Sequence, residues 1–174
     1  MNDLTFFWLM MGLVFVLTIV LLALFWKKTE FEIFNDLIVI NDFVYPASIP
    51  NYAIKSISMV ERLPRVMMRS NGYSGMRMWK GIFRVLGGKR ALFYVEDHKR
   101  GPLVKIETVR ESIYINFKDR EQTHRLYEEL TKTVKIMNES ELADCHVVTA
   151  KRSWVIVGIF IGLTAIISLL PTMI

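Results

Sequence analysis

Val104-Lys105-Ile106-Glu107-Thr108, Ile113-Tyr114-Ile115-Asn116-Phe117 and the run from Asp119 to Val134 decide how this chain folds. In the first two pieces, apolar and polar residues alternate. Val104, Ile106 and Thr108 share one face, and Ile113, Ile115 and Phe117 share another, as in half-buried antiparallel strands. After Phe117 the spacing changes. Leu126, Tyr127, Leu130 and Val134 fall on one side of a helix, with Arg125, Glu128, Glu129 and Lys132 on the other. Asp119 is a suitable N-cap, and Gln122 three residues on makes an imperfect capping box. A bent sheet of this kind leaves an open end, and a terminal helix can close it.

Upstream the period-two pattern continues. Phe31 and Ile33 alternate with polar neighbours, Asn35-Asp36 punctuate, and Leu37-Ile38-Val39-Ile40 read as the answering strand. Tyr45-Pro46 and Ile49-Pro50 read as breaks, because proline cannot donate to a ladder. Ile54 to Val60 is a further strand, ended by Pro64. Ile82 to Leu86 is another, closed by Gly87-Gly88, and Ala91 to Val95 returns from that turn. His98-Lys99-Arg100-Gly101-Pro102 reads as a polar turn before Val104. The expected fold is mainly β (α+β), with about seven antiparallel strands capped by one C-terminal helix.

Between Arg62 and Arg90 lie eight basic residues and no acidic one. The whole chain carries +5, so everything outside that window nets −3. A basic window of this kind suits an anionic neighbour. A domain held against a membrane is also selected for positive charge without any ligand. Five of the ten methionines, Met59, Met67, Met68, Met76 and Met78, fall within the same region. Met59 fits a strand core. Met76, Met78 and Trp79 sit in what reads as a Gly/Ser-rich loop over 70–80, where burial is harder and an adaptable contact surface is an equal alternative. The candidate contact residues for a partner or a lipid surface are Arg69, Tyr73, Met76, Arg77, Met78, Trp79, Lys80, Arg84, Lys89 and Arg90.

Chemistry-bearing patterns are missing from the sequence. Gly72-Tyr73-Ser74-Gly75 is not followed by Gly-Lys-Ser/Thr, so it is no phosphate loop. Cys145-His146 lack metal-pair spacing, and His98 and His124 stand apart from them. No Ser/His/Asp grouping, carboxylate pair or nucleotide fingerprint stands out. The expectation is no catalytic residue, no metal, no cofactor and no enzyme. Nucleic-acid binding needs basic residues interleaved with stacking aromatics, and Tyr73, Trp79 and Phe83 offer little of that.

The two ends are apolar. Residues 4–26 contain no charge and, as a helix, reach about 35 Å, against a hydrocarbon core of roughly 30 Å. Phe6, Phe7, Trp8, Phe25 and Trp26 put aromatics at both ends of that run. Asp3 precedes it and Lys27-Lys28 follow, the wrong polarity for a cleaved signal peptide. Residues 154–174 form a second uncharged run, preceded by Lys151-Arg152. Gly158, Gly162 and Ala165 place small residues on one face of it, a candidate helix-packing face. Both basic pairs flank the middle region. The positive-inside rule therefore puts 27–152 in the cytoplasm and both termini outside. The single cysteine, Cys145, allows no internal disulfide. The expected division is a span at 4–26, a domain at 29–137, a linker at 138–153 and a span at 154–174.

Over roughly residues 30–135 the order and spacing of the strands resemble the bacterial pleckstrin-homology-like domains. The resemblance is carried by Leu37-Ile38-Val39-Ile40, Ile49-Pro50 followed by Ile54-Lys55-Ser56-Ile57, Arg69-Ser70-Asn71-Gly72-Tyr73, Gly81-Ile82-Phe83, Ala91 to Val95, Tyr114 to Phe117 and Leu126 to Leu130. It implies two orthogonal antiparallel sheets capped by a C-terminal helix, and it lends no catalytic residues and no agreed ligand. Phosphoinositide-binding relatives place basic residues on the first hairpin, where this chain has Glu30, Glu32 and Asp36. The expected function is a non-enzymatic, membrane-anchored scaffolding or protein-binding module at the inner face of a bacterial plasma membrane. Its partners would be membrane lipids and a membrane protein, a second copy of the chain included, with no nucleic acid. The alternatives are sensing of anionic lipid by 62–90, and a structural subunit of a transporter or channel.

Overall fold

The computed structural model describes residues 3–25, 28–75, 77–134 and 148–149. Helix α1 (Asp3–Phe25) comes first. Nine strands follow: β1 (Glu30–Ile33), β2 (Leu37–Asn41), β3 (Ala47–Pro50), β4 (Ile54–Val60), β5 (Val66–Gly75), β6 (Met78–Val85), β7 (Arg90–Val95), β8 (Leu103–Thr108) and β9 (Glu111–Asn116). Helix α2 (Arg120–Thr133) and a two-residue strand, β10 (Val148–Thr149), complete the described chain. One sheet has the order β1-β2-β3-β10 and the other β4-β8-β9-β7-β6-β5.

The mainly β class and the closing helix are as expected, and several details are not. The described strands number ten rather than about seven. The stretch expected as a loop over 70–80 is largely a long hairpin of β5 and β6, in which Gly72 pairs with Gly81 and Gly75 with Met78. Low strand propensity at Gly72, Ser74 and Gly75 is overridden by the unbroken pairing of residues 71–75 with 78–82. Finally, β7 and β9 are parallel, with Arg90 opposite Glu111 and Val95 opposite Asn116. The prolines expected as breaks frame β3 instead. Pro46 precedes it and Pro50 is its last residue, where a missing N–H disturbs the ladder least.

Two apolar clusters lie on opposite faces of the larger sheet. The first joins Ile38, Ile40 and Ile49 of the smaller sheet to Leu92, Tyr94, Val104, Ile106, Ile113 and Ile115 of the larger, with Leu126, Leu130 and Val134 from the helix region. Of the four expected apolar positions, Leu126, Leu130 and Val134 thus face the core and Tyr127 packs against it half-buried. Asp119 caps the helix by accepting from the Glu121 amide at 3.0 Å. Thr123, wholly buried, accepts from the Phe117 amide at 3.1 Å. The second cluster gathers Phe83, Val85, Ala91, Phe93, Val95, Leu103 and Tyr114, with Val60, Leu63, Val66 and Trp79 against it.

That second face is covered by the chain joining the two edges of the sheet. Strands β4 and β5 are the edges, yet only residues 61–65 separate them. In a flat sheet the edges would lie about 24 Å apart across five strand spacings. Six residue steps reach at most about 22 Å. Val60 and Val66 also sit at opposite ends of the strand rows, opposite Leu103 and Val85 respectively. The sheet must therefore coil, and the connection crosses its concave face with Leu63 packed beneath.

Strand β9 lies between β7 and β8, so residues 96–102 must bridge across its end. Asn116, buried at the end of β9, organises this bridge. Its Oδ1 accepts from the amides of Glu96 at 3.0 Å and Asp97 at 3.3 Å. Its Nδ2 donates to the carbonyls of Asp97 and Arg100, both at 2.8 Å. Asn116→Ala should cost about 2–3 kcal/mol, because buried backbone groups lose their partners. A thermal melt within error of the unmodified protein would show that the bridge is held by other means.

Helix α1 coincides with the segment expected to span a bilayer. It has 23 residues, with Asp3 its one charged residue. Its described side chains run unbroken only over 7–20, and over the described residues no helix is long and apolar enough to cross a membrane. The second expected span, and Gly158, Gly162 and Ala165 with it, lie outside the described residues. Residues 148–149, expected within a linker, pair with β3 through Val148 opposite Ser48 and Thr149 opposite Ala47.

Candidate functional site

The hairpin of β5 and β6 carries most of the expected contact residues, and it divides them. Arg69 and Arg84 are exposed, and so is Lys89 in the turn after β6. Tyr73, Met78 and Trp79 are half-buried. Met76 lies outside the described residues. Arg90 is half-buried, with its Nε 3.3 Å from a carboxylate oxygen of buried Glu111 across the parallel pair. Lys80 departs furthest from expectation. Expected on the surface, it is 3% exposed, with its Nζ 2.7 Å from Oδ2 of Asp42.

The period of the strand explains that correction. Lys80 stands opposite Tyr94 on β7 and Tyr73 on β5, so it faces the smaller sheet rather than solvent. Asp42 meets it there from just beyond the end of β2. Thr29 donates to Asp42 Oδ2 at 2.8 Å, and Asp42 Oδ1 accepts from the amides of Val44 at 3.0 Å and Tyr45 at 2.9 Å. The Tyr94 hydroxyl donates to the Tyr45 carbonyl at 2.7 Å. Burial pushes the Asp42 carboxyl up, but the Lys80 charge and the bonds from Lys80, Tyr45 and Thr29 outweigh it and hold it below the usual carboxylate range. Burial, with Asp42 and Glu111 nearby, pushes the Tyr94 hydroxyl well above its ordinary value, so it stays a neutral donor.

This network ties three parts of the chain together. Thr29 belongs to the segment leaving α1, Asp42 to the smaller sheet and Lys80 to β6. Beside it, Glu30 pairs with Asn41, Ile40 with Ala47, and Ala47 with Thr149. The start of β1 and the end of β10 therefore lie at the same end of the smaller sheet.

The smaller sheet crosses the larger one. At this end the 42–45 segment touches β5, β6 and β7. The Tyr45 hydroxyl is 3.5 Å from Asn71 Oδ1, Asp42 holds Lys80, and the Tyr45 carbonyl holds Tyr94. At the opposite end, Pro50 leads through a 3-10 turn (Asn51–Ala53) into β4, the far edge of the larger sheet. Helix α2 packs on β4, β8 and β9, the same far half. The edge strand β5 thus lies on the side where β1 starts and β10 ends.

The turn of the hairpin is pinned. Arg77 adopts φ 73°, and its carbonyl accepts from the His98 amide at 2.9 Å and meets His98 Nδ1 at 2.8 Å. A carbonyl only accepts, so Nδ1 carries the proton. Trp79 stacks on Phe83 at 5.4 Å and lies 5.8 Å from the His98 ring, so its indole serves the second cluster rather than an open surface.

Residues that sequence reasoning missed lie at the other end of β5. Met67, Met68 and Leu86 are 65%, 54% and 64% exposed. Met68 pairs with Arg84, and the Leu86 amide bonds the Arg65 carbonyl at 2.9 Å. Arg62, Arg65 and Arg69 are exposed around them, and with Arg84 they form no ion pair among the described residues. The Met67-Met68 pair inside an acid-free window was the available signal. Thr29 and Asp42 left no signal of their own, since a short polar residue near a strand end usually marks a turn. Among the described residues, no group of three or more His, Cys, Asp or Glu could hold a metal ion.

No curated protein and no solved structure matches the chain. A family model does, over residues 29–131, from the Thr29 of the buried network to the last turns of α2. That match spans more than half of the chain and takes in both sheets apart from β10, so the chain belongs to the family described as the bacterial PH domain.

Proposed function

We propose that this chain is an integral membrane protein that holds a non-catalytic PH domain against the inner surface of a bacterial plasma membrane, as a binding module. The observation that carries the reading is the shared exit. The start of β1 and the end of β10 lie at one end of the smaller sheet, as two tethers into one membrane require. The uncharged run at 4–26, about 35 Å if wholly helical, supports a crossing by the first tether. Trp8, Leu9, Leu13 and Phe15 are among its exposed apolar side chains, and the domain offers them no cover. Lys27-Lys28 and Lys151-Arg152 favour the domain on the cytoplasmic side.

A module pinned this way works through effective concentration. It cannot diffuse from the membrane, so weak contacts suffice. The exposed part of the basic hairpin, Arg69, Arg84 and Lys89, with Arg62 and Arg65 before it, is the contact surface. A protein partner in the membrane and the anionic leaflet itself both suit its charge. The test is protease access to the full-length protein. In sealed right-side-out cells the domain should survive, and in inverted vesicles it should be cut. Digestion in intact cells would sink the reading.

A further inference from the structure

We infer that the free edge of β5 faces the leaflet and rests on anionic lipid headgroups, with Met67 and Met68 at the boundary between headgroups and acyl chains. This rests on the membrane-anchored reading and names the partner of the contact surface. Three observations carry it. Among the described residues, β5 has one strand neighbour, β6, so its other edge pairs with no described strand, and residues 67–71 are exposed along it. An uncovered edge of that length bearing apolar side chains invites association unless something covers it. The crossing of the two sheets puts this edge, and not β4, on the side where β1 starts and β10 ends. The chemistry along the edge is that of an interfacial surface: Met67, Met68 and Leu86 exposed, Arg62, Arg65, Arg69 and Arg84 around them, and no acidic residue between Arg62 and Arg90.

The proposed contact is an edge and not a headgroup pocket. The first hairpin carries Glu30 and Glu32, and Asn41 Nδ2 donates to Glu32 Oε1 at 2.6 Å, which leaves no basic cradle there. Long arginines can reach phosphates while their stems lie along the apolar boundary. The methionines supply flexible apolar contact that tolerates a fluid surface.

The experiment uses the full-length chain with Cys145→Ser and one introduced cysteine at a time. Met68→Cys probes the edge, Leu13→Cys the anchor helix, and Glu129→Cys the exposed far side of α2. Each is labelled with an environment-sensitive fluorophore in nanodiscs containing quencher-labelled lipid. The discs are either phosphatidylcholine alone or about one-third phosphatidylglycerol. The Leu13 label should be quenched in every condition and the Glu129 label in none. The Met68 label should be quenched in the anionic discs about threefold more than in neutral ones, and the excess should vanish at about 0.5 M salt. Arg65→Gln with Arg69→Gln should remove most of it too. Should the Met68 label behave like the Glu129 label while Leu13 is quenched, the edge does not face lipid and the inference fails, with the anchoring intact. If in addition Met68→Cys resists alkylation in native membranes, a protein occupies the edge instead. An unquenched Leu13 label removes the anchored reading itself.

Discussion

Lys80→Ala should lower the stability of the domain by about 3–5 kcal/mol, the range for breaking one partner out of a buried ion pair. On a domain of this size that is a fall in Tm of roughly 10–30 °C. The ammonium is 2.7 Å from Asp42 Oδ2, and both side chains are at most 4% exposed. Truncation leaves a carboxylate in a site too dry to hydrate it. Asp42 keeps the amides of Val44 and Tyr45 and the hydroxyl of Thr29, but no compensating charge. Lys80→Met combined with Asp42→Asn should recover at least half of the loss, because the charge is gone while an oxygen can still accept from the 44 and 45 amides. A double variant no better than Lys80→Ala would show that the pair matters by its shape and not its charge.

The same substitution should invert the response to acid. In the unmodified protein the folded-state pKa of Asp42 lies below the ordinary value of 3.8. Its contribution is therefore complete above that value and is lost as pH falls from there through the folded value. Remove Lys80 and the strongest opposing influences go with it, while burial, which pushes the carboxyl up, stays. The folded-state pKa then rises above the unfolded one. Between neutrality and about pH 4, the variant should gain stability as pH falls, where the parent holds steady. Melts across that range decide the matter, and parallel curves would count against charge as the reason for the pair.

Nothing in the local sequence marks Lys80 as buried. It stands in an acid-free run, between Trp79 and Gly81, and its partner lies 38 residues earlier. Alternation along Met78 to Val85 does place Lys80 with Ile82 on one face, but that face is recognisable as inward only once Tyr94 and Ile115 are known to lie beside it. Local pattern fared better where the partner is local. Ile38 and Ile40, the 104–106 and 113–115 positions, and the helix face of Leu126, Leu130 and Val134 were all legible because period alone sets which side is apolar. The parallel pairing of β7 with β9 was not legible, since it depends on Asn116 tying down a bridge that crosses the end of its own strand. The site was half-legible. The basic window announced a surface, but it could not say that Lys80 and Arg90 serve the interior while Arg62, Arg65, Arg69 and Arg84 serve the exterior. Nor could it say which way the edge strand points, which follows only from how the two sheets cross.

The shape of that edge depends on one pair of glycines, and Gly81→Ala should cost about 4 kcal/mol. Gly81 has φ +111°, which side-chain-bearing residues rarely adopt. A Cβ there would sit 2.5 Å from both the Asn71 carbonyl oxygen and the Gly72 Cα, and 2.9 Å from Cζ of Tyr45. Two of those three are backbone, so no rotamer change relieves them. Gly72 is its partner across the ladder, and a Cβ there would lie 2.7 Å from the Lys80 carbonyl oxygen. A register shift between Arg69 and Asn71 accompanies the pair, so the hairpin bends where the two backbones come closest. Gly87→Ala is the control. Gly87 also has positive φ, at +92°, but an added Cβ meets nothing within 4 Å, so only the conformational strain of about 1–2 kcal/mol applies. The difference between the two variants isolates the close approach of β5 to β6. If Gly81→Ala melts no lower than Gly87→Ala, the backbones are not in contact there. In the expected case, β5 should loosen before the rest of the sheet, seen as faster amide exchange over Val66–Gly75 than over β8 and β9. The edge proposed to rest on lipid would then lose its line, because that one close contact sets where the hairpin bends.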